Sequence, residues 1–371
     1  MRKVIAKIHL KNIRDNALAW KAHTKKKLCA VVKADAYGHG AEEVASVLDG
    51  VADAFAVALV EEAISLRVAA CGTDILILTP PICLNDAVCA VQNSFIFTVS
   101  SLSEAKMAYQ AAKLCKKNAR VHLKVNTGMN RYGMSISELG KTCAFLNSKK
   151  QVAVEGLYSH LHDTTRKSAE AQRERFLRMQ AVCLRYFPSV ICHLSATYGT
   201  LLGEEFFFDM TRVGIGLYGY LPDGAKDINQ EVVHALHLKK AMRVYAAVVE
   251  SREYSYGGVG YGKALSKRAR GQVKRLNVLR VGYADGFLRK KRNGLKGDEK
   301  QINRLCMDAC LRIGRKRKGT SVCIMSDAAK TAKACKTISY EVLCAATKRA
   351  ERVYTYGVAV CRRRRNQRSR A

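Results

Sequence analysis

The segment AVVKADAYGHG, residues 30–40, sets a single lysine at the end of a run of small and β-branched residues. Ala30, Val31 and Val32 read as a buried strand, and turn residues follow Lys33 at once. An amine in that position is poorly hydrated, and desolvation lowers its pKa toward the neutral form. A neutral amine is the nucleophile that forms a Schiff base with an aldehyde. The same residues also fit an ordinary surface lysine at a strand end, so spacing alone leaves both readings open. Further reactive types follow at the ends of other apolar runs. Lys124 and Arg131 lie in HLKVNTGMNRYG, His160 closes VEGLYSH, and Thr197 sits in HLSATYG. Arg212 opens TRVGIGLYG, with Gly214 and Ile215 just behind it. Each has a plain explanation alone: a surface arginine, a core histidine, a capping threonine. Their common placement after apolar runs is what points to one site.

Short apolar runs at 28–34, 54–60, 75–79, 95–99, 120–126, 154–160, 190–195 and 211–217 alternate with helical patterns. Eight such repeats predict a closed parallel (β/α)8 barrel of the TIM type, within an α/β class. An open doubly wound sheet is the alternative, but no Gly-x-Gly-x-x-Gly turn follows the first strand. In a barrel, functional side chains gather at the C-terminal ends of the strands. Beyond about residue 230 the texture changes to short β-branched segments with glycine turns, which predicts a smaller, mostly β domain. The expected division is a barrel over 1–230, a β domain over 231–360 and a disordered basic tail over 361–371. The first few residues are expected to pack with the second domain.

The chain has 371 residues, enough for two cores. Its N-terminus carries charges every few residues, without the apolar stretch of a secretory signal. No apolar run is long enough to span a bilayer, so no membrane association is expected. Fourteen cysteines occur without any Cys-x-x-Cys. A reduced, cytoplasmic chain without a structural metal is the reading. The net charge of +33 raises a nucleic-acid-binding alternative, but no recognition motif accompanies it, and no specific nucleic acid is expected.

Three later segments complete the pattern: SYGG (255–258), VGYADGFLR (281–289) and LCMDAC (305–310). Together with KADAYGHG and NTGMNRYG they identify a chain that resembles the alanine racemase family, pyridoxal-phosphate enzymes of fold-type III, from about residue 3 to 355. The resemblance implies that Lys33 holds the cofactor aldehyde and is one catalytic base, with Tyr256 the base on the opposite face of the substrate. Free tyrosine has a pKa near 10, so such a base needs cationic neighbours. His160 and Arg212 match the family's histidine–arginine chain. Arg212 matches the arginine facing the pyridine nitrogen, where it can only donate. That keeps the ring a weak electron sink and favours racemisation over transamination. Tyr37, Thr197, Gly214 and Ile215 match phosphate contacts. Arg131 matches the arginine near cofactor and substrate carboxylate, and Lys124 a lysine carbamylated in several members. Tyr283, Met307 and Asp308 match substrate-side residues. In the family the equivalents of Tyr256, Met307 and Asp308 come from the partner subunit, which implies a homodimer with shared sites, and Tyr283 matches one member of the substrate-entry gate.

Two departures bear on specificity. The family's Asn-Ser pair before the phosphate aligns here as Ala196-Thr197, and the gate tyrosine near the C-terminus aligns with Lys348. Loss of that tyrosine also marks membrane-anchored serine/alanine racemases. The expected activity is therefore interconversion of L- and D-alanine for peptidoglycan. A serine or broad-specificity racemase is the neighbouring alternative, and a non-catalytic pyridoxal-phosphate carrier the alternative from another class.

Overall fold

A computed structural model describes residues 4–70, 72–163, 165–254, 258–261, 275–289, 305–357 and 359–361. The chain divides into two compact units. One comprises residues 13–36 and 41–239, the other residues 1–12, 37–40 and 240–371. The break falls at Lys239/Lys240, against the boundary at 230 expected from the change in texture.

The first strand, β1 (Ile5–His9), belongs to the second unit. The next eight build the first unit: β2 (Lys27–Val31), β3 (Ala54–Val57), β4 (Asp74–Ile77), β5 (Ile96–Val99), β6 (Ala119–Lys124), β7 (Val152–Tyr158), β8 (Ile191–His193) and β9 (Met210–Val213). All neighbouring pairs are parallel, in the order β8-β7-β6-β5-β4-β3-β2-β9. Strands β3, β5 and β9 are buried at every residue, as parallel strands covered on both faces must be. Between β8 and β9 the ring closes by isolated bonds. Asp209 N–H donates to the Cys192 carbonyl at 3.0 Å, and Arg212 N–H to that of Ser195 at 3.0 Å. This is the eight-stranded barrel expected from the repeat of apolar runs.

One strand is shorter than its sequence suggests. The run 28–34 was expected to be extended throughout, but β2 stops at Val31 and Lys33 begins a left-handed turn. Ala34, Asp35, Ala36 and Tyr37 have φ of 52°, 53°, 52° and 53°. Left-handed backbone costs about 1–2 kcal/mol per non-glycine residue, so neighbours must hold it. Asp35 Oδ1 accepts the Ala41 N–H at 2.8 Å, and Glu62 Oε1 accepts the Ala34 N–H at 2.7 Å. The Ala36 N–H reaches back to the Val32 carbonyl at 2.8 Å.

The second unit is mostly β, as expected. Its strands are β1, β10 (Met242–Glu253), β11 (Arg275–Leu279), β12 (Cys310–Ile313), β13 (Ser321–Met325), β14 (Glu351–Tyr356) and β15 (Ala359–Cys361). They run in the order β12-β11-β10-β1-β14-β15, with β13 also on β10. Helices Ala328–Cys335 and Ser339–Ala346 complete this unit's described part.

Candidate active site

The barrel's C-terminal end is rich in cations and poor in acids. The acids paired within the strands lie at the other end, where Arg120, near the start of β6, binds Asp74 at 2.6 Å and Glu155 at 2.7 Å. At the C-terminal end Lys33 is half-buried, Lys124 closes β6 and is buried, and Arg131 is exposed beyond it. His160 follows β7 by two residues and is half-buried. Arg212 lies inside β9 and is buried.

Arg212 is the best-fixed side chain of the group. Nη1 donates to His193 Nδ1 at 2.7 Å and to the His193 carbonyl at 3.1 Å. Nη2 donates to the carbonyls of Ser159 at 2.7 Å and Leu194 at 3.0 Å, and to His160 Nδ1 at 3.4 Å. Its Nε has no acceptor among the described residues, so one donor of a rigid guanidinium is left for a ligand. Beneath it lies a buried stack that sequence reasoning missed. The Tyr158 and His193 rings are parallel with centroids 4.8 Å apart, and His193 Nε2 meets His122 Nδ1 at 3.0 Å. The Tyr158 hydroxyl meets Thr98 Oγ1 at 2.6 Å. A Cβ on Gly156 would come within 2.6 Å of the His122 ring, so this glycine makes room for the stack. In sequence these histidines resemble any core polar residue, and only the bonds reveal their role.

The electrostatics follow from burial among like charges. Lys124 Nζ lies 4.0 Å over the Tyr158 ring, and its pKa falls well below the ordinary lysine range. Desolvation is the main cause, followed by Arg212, Arg131 and Lys33. His160 is likewise pushed far down, by desolvation and then by Arg212, Lys124, Arg131 and Lys33. Burial, then Arg212, His122 and Lys124, lowers His193, and His122 falls to about 3 through burial, Arg120 and Arg212. Lys33, Arg131 and Arg212 surround Lys124 and His160, and their field together with burial favours the neutral forms of both.

A second cluster of donors lies where β9 gives way to the short helical turn Ile215–Tyr218. Thr197 Oγ1 accepts the N–H groups of Gly214 at 3.3 Å and Gly216 at 3.4 Å. Its own proton has no acceptor among the described residues, so the hydroxyl can donate to an anion. At Gly216 a Cβ would lie 2.6 Å from Trp20 Nε1. These bonds and the Arg212 network bring Arg212, His160, Thr197 and Gly214 to one end of one barrel, with Ile215 next in the chain.

The other predicted residues fall in the second unit. Tyr37 is buried, with its ring centroid 5.9 Å from that of Tyr340, and burial pushes its pKa up. Tyr283 and Met307 are exposed, and their loops are tied together: Tyr283 N–H donates to the Cys306 carbonyl at 3.1 Å and Ala284 N–H to that of Met307 at 3.0 Å. Asp308 accepts from Arg349 at 3.1 Å. Tyr256 lies outside the described residues, as does the tail from residue 362. Among the described residues no helix is long and apolar enough to cross a membrane. No group of three or more His, Cys, Asp or Glu among them could hold a metal ion.

Comparison with known proteins agrees over most of both units. Residues 8–222 match the family model of the alanine racemase N-terminal domain, and residues 241–354 that of the C-terminal domain. The chain is 34% identical over 370 residues to an alanine racemase of Lactobacillus delbrueckii subsp. bulgaricus, covering 94% of this chain and 96% of that one. It is 33% identical over 322 residues to alanine racemase 2 of Oceanobacillus iheyensis, covering 83% and 79%. Among solved structures, alanine racemase of Clostridium difficile superposes with a TM-score of 0.87 at 28% identity, covering 98% of each chain. An alanine racemase from Bartonella henselae with covalently bound pyridoxal phosphate gives 0.81 at 25% identity, covering 96% of this chain and 100% of that one.

Proposed function

The chain belongs to the alanine racemase family, and from that premise we propose that it interconverts L- and D-alanine, with pyridoxal 5′-phosphate as cofactor. The carrying observation is the set of cations at the end of a parallel barrel, where Lys33, Arg131 and Arg212 surround Lys124 and His160. Such a set suits a ligand with several negative charges. When bound, the cofactor supplies the electron sink that makes the substrate Cα–H acidic.

The chain's own residues hold and work around it. Lys33 provides the amine that fixes the cofactor and takes or returns the Cα proton on one face. The left-handed turn that starts at Lys33 is clamped by Glu62 and Asp35, which limits where the amine can go. With Nη1 and Nη2 engaged, Arg212 would have Nε left to donate to the ring nitrogen of a bound cofactor. A guanidinium that stays protonated donates there and transfers no proton. Thr197, with the backbone at Gly214 and Ile215, binds phosphate. On the family motif alone Tyr37 adds a phenol, kept protonated by burial. His160 is neutral at physiological pH and accepts from Arg212, so it relays the guanidinium's field without adding a charge. Burial and the neighbouring cations lower the pKa of Lys124 and so favour its neutral amine, the form that takes up carbon dioxide as a carbamate with release of one proton. The resulting anion pairs with Arg131, which binds the substrate carboxylate.

Tyr256 is the second base, supplied with Met307, Asp308 and Tyr283 by a second copy of the chain in a homodimer. The product serves peptidoglycan synthesis in the cytoplasm. Lys348 at the family's gate tyrosine favours serine as a second substrate, because hydrophobic contacts discriminate weakly against an added hydroxyl.

A racemisation assay across small L-amino acids with added cofactor tests the reading. D-alanine formation at a rate equal to or above that of any other product is expected. D-serine formed faster would move the assignment to the serine enzyme, and no product at all would overturn it. Mixing inactive Lys33→Ala and Tyr256→Phe chains is expected to restore part of the activity through hybrid dimers, and no rescue would remove the shared site.

A further inference from the structure

The net charge of +33 is not spread over the molecule. The barrel unit carries 26 lysines and arginines against 22 acids, a net of +4. The second unit carries 38 against 9, a net of +29. A charge kept only for solubility has no reason to collect in one unit. A strongly one-sided distribution is the footprint of a polyanionic partner.

The described residues show where part of it is presented. The turn between β12 and β13 carries Arg315, Lys316, Arg317 and Lys318, of which Arg315, Arg317 and Lys318 are exposed. Immediately beyond β13, helix Ala328–Cys335 exposes Lys330 and Lys333, and Lys336 follows at its end. The nearest acid in sequence, Asp327, is buried and already paired with Lys240. Arg315, Arg317, Lys318, Lys330 and Lys333 form no ion pair with a described acid. Strand β13 has five residues, so the two cationic groups lie roughly 17 Å apart along it. Duplex nucleic acid offers one negative charge per ~1.7 Å of axis, so a spacing of that size corresponds to roughly ten backbone charges.

We propose that this unit binds the phosphodiester backbone of duplex nucleic acid without sequence preference, through Arg315, Arg317, Lys318, Lys330 and Lys333. A lipid surface fits less well. Binding in a membrane interface needs apolar side chains beside the cations, and this helix turns Ala328, Thr331, Ala332 and Cys335 inward. The proposal is independent of the racemase reading, since none of the five residues belongs to the candidate active site.

The test is fluorescence anisotropy of labelled 24-base-pair duplexes of three unrelated sequences, titrated with the full-length holoenzyme from 50 to 200 mM KCl. Equal affinities for the three are expected, falling by about 500-fold over that range for five neutralised phosphates. Replacing the five residues together by glutamine is expected to reduce the slope of log K against log salt by about 4.5, at ~0.9 per contact, with racemase activity unchanged. A salt slope unaltered by the five substitutions would place the binding elsewhere and overturn the proposal. So would absence of duplex binding at 50 mM KCl, or cosedimentation with phosphatidylglycerol vesicles in place of duplex binding.

Discussion

Cations at the barrel end and cations on the second unit are the same residue types under opposite conditions. Around Lys124 and Arg212 they are buried, crowded and faced by no acid, so burial and mutual repulsion drive Lys124 toward its neutral form. Around Arg315 and Lys330 they are exposed, hydrated and separated by a strand. The first arrangement favours the neutral amine at Lys124 and suits a bound anion, and hydrogen bonds fix Arg212 in place. The second costs little, fixes nothing and acts at a distance. A lysine therefore becomes chemical equipment through the neighbours that desolvate it, not through its identity.

Lys33→Ala strikes the contrast hardest. It is expected to lower racemisation of L-alanine by about 10³-fold or more, measured by chiral chromatography, because it removes both cofactor anchor and base. Lys330→Ala is expected to leave the same rate unchanged. Arg212→Lys comes next. An ammonium cannot span the carbonyls of Ser159, Leu194 and His193 together with His193 Nδ1, so buried acceptors lose their donors. The expected loss is about 3 kcal/mol of stability in urea unfolding, whereas Arg317→Lys on the exposed turn should fall within about 0.5 kcal/mol.

The buried imidazoles add a pH dependence with a definite sign. His122, His160 and His193 all have pKa values lowered from the ordinary 6.5. Between the lowered values and 6.5 the unfolded chain binds more protons than the folded one, so stability rises with pH across that window. Cofactor-free protein is expected to lose stability steadily as pH falls from 6.5 to 5, by urea midpoints at constant ionic strength. A flat profile would mean that these imidazoles are not held neutral.

Two smaller effects belong to the second unit. Lys348→Tyr, which places a tyrosine where the family resemblance expects the gate residue, is expected to raise the alanine-to-serine ratio of kcat/KM by about three- to tenfold. Arg349→Ala breaks pairs with Asp308 at 3.1 Å and Asp285 at 3.5 Å, but its side chain is 50% exposed. Less than about 1 kcal/mol of stability is expected to be lost.

Much of the barrel was legible because parallel strands buried on both faces leave unbroken apolar runs, as in Ala54–Val57 and Ile96–Val99. The candidate site was legible where a reactive residue closes or follows such a run, as Lys124 and Lys33 do, whereas Arg212 lies inside β9 and the family motif pointed to it. The turn at Ala34–Tyr37 was not, because nothing in Ala-Asp-Ala-Tyr asks for positive φ, and tertiary bonds to Asp35 and Glu62 impose it. Nor was the stack of Tyr158, His193 and His122, whose members lie on three different strands and meet only in three dimensions. In the second unit, exposed Tyr283 and Met307 carry no local signal, and the family motifs alone pointed to them.

The most direct test of the buried site is borohydride reduction of the cofactor-loaded protein followed by peptide mass mapping. A phosphopyridoxyl group on Lys33, with Lys124 unlabelled, is the expected result. Label on Lys124 or on any lysine of the second unit, with Lys33 unmodified, would contradict the assignment of the reactive amine to the left-handed turn after β2.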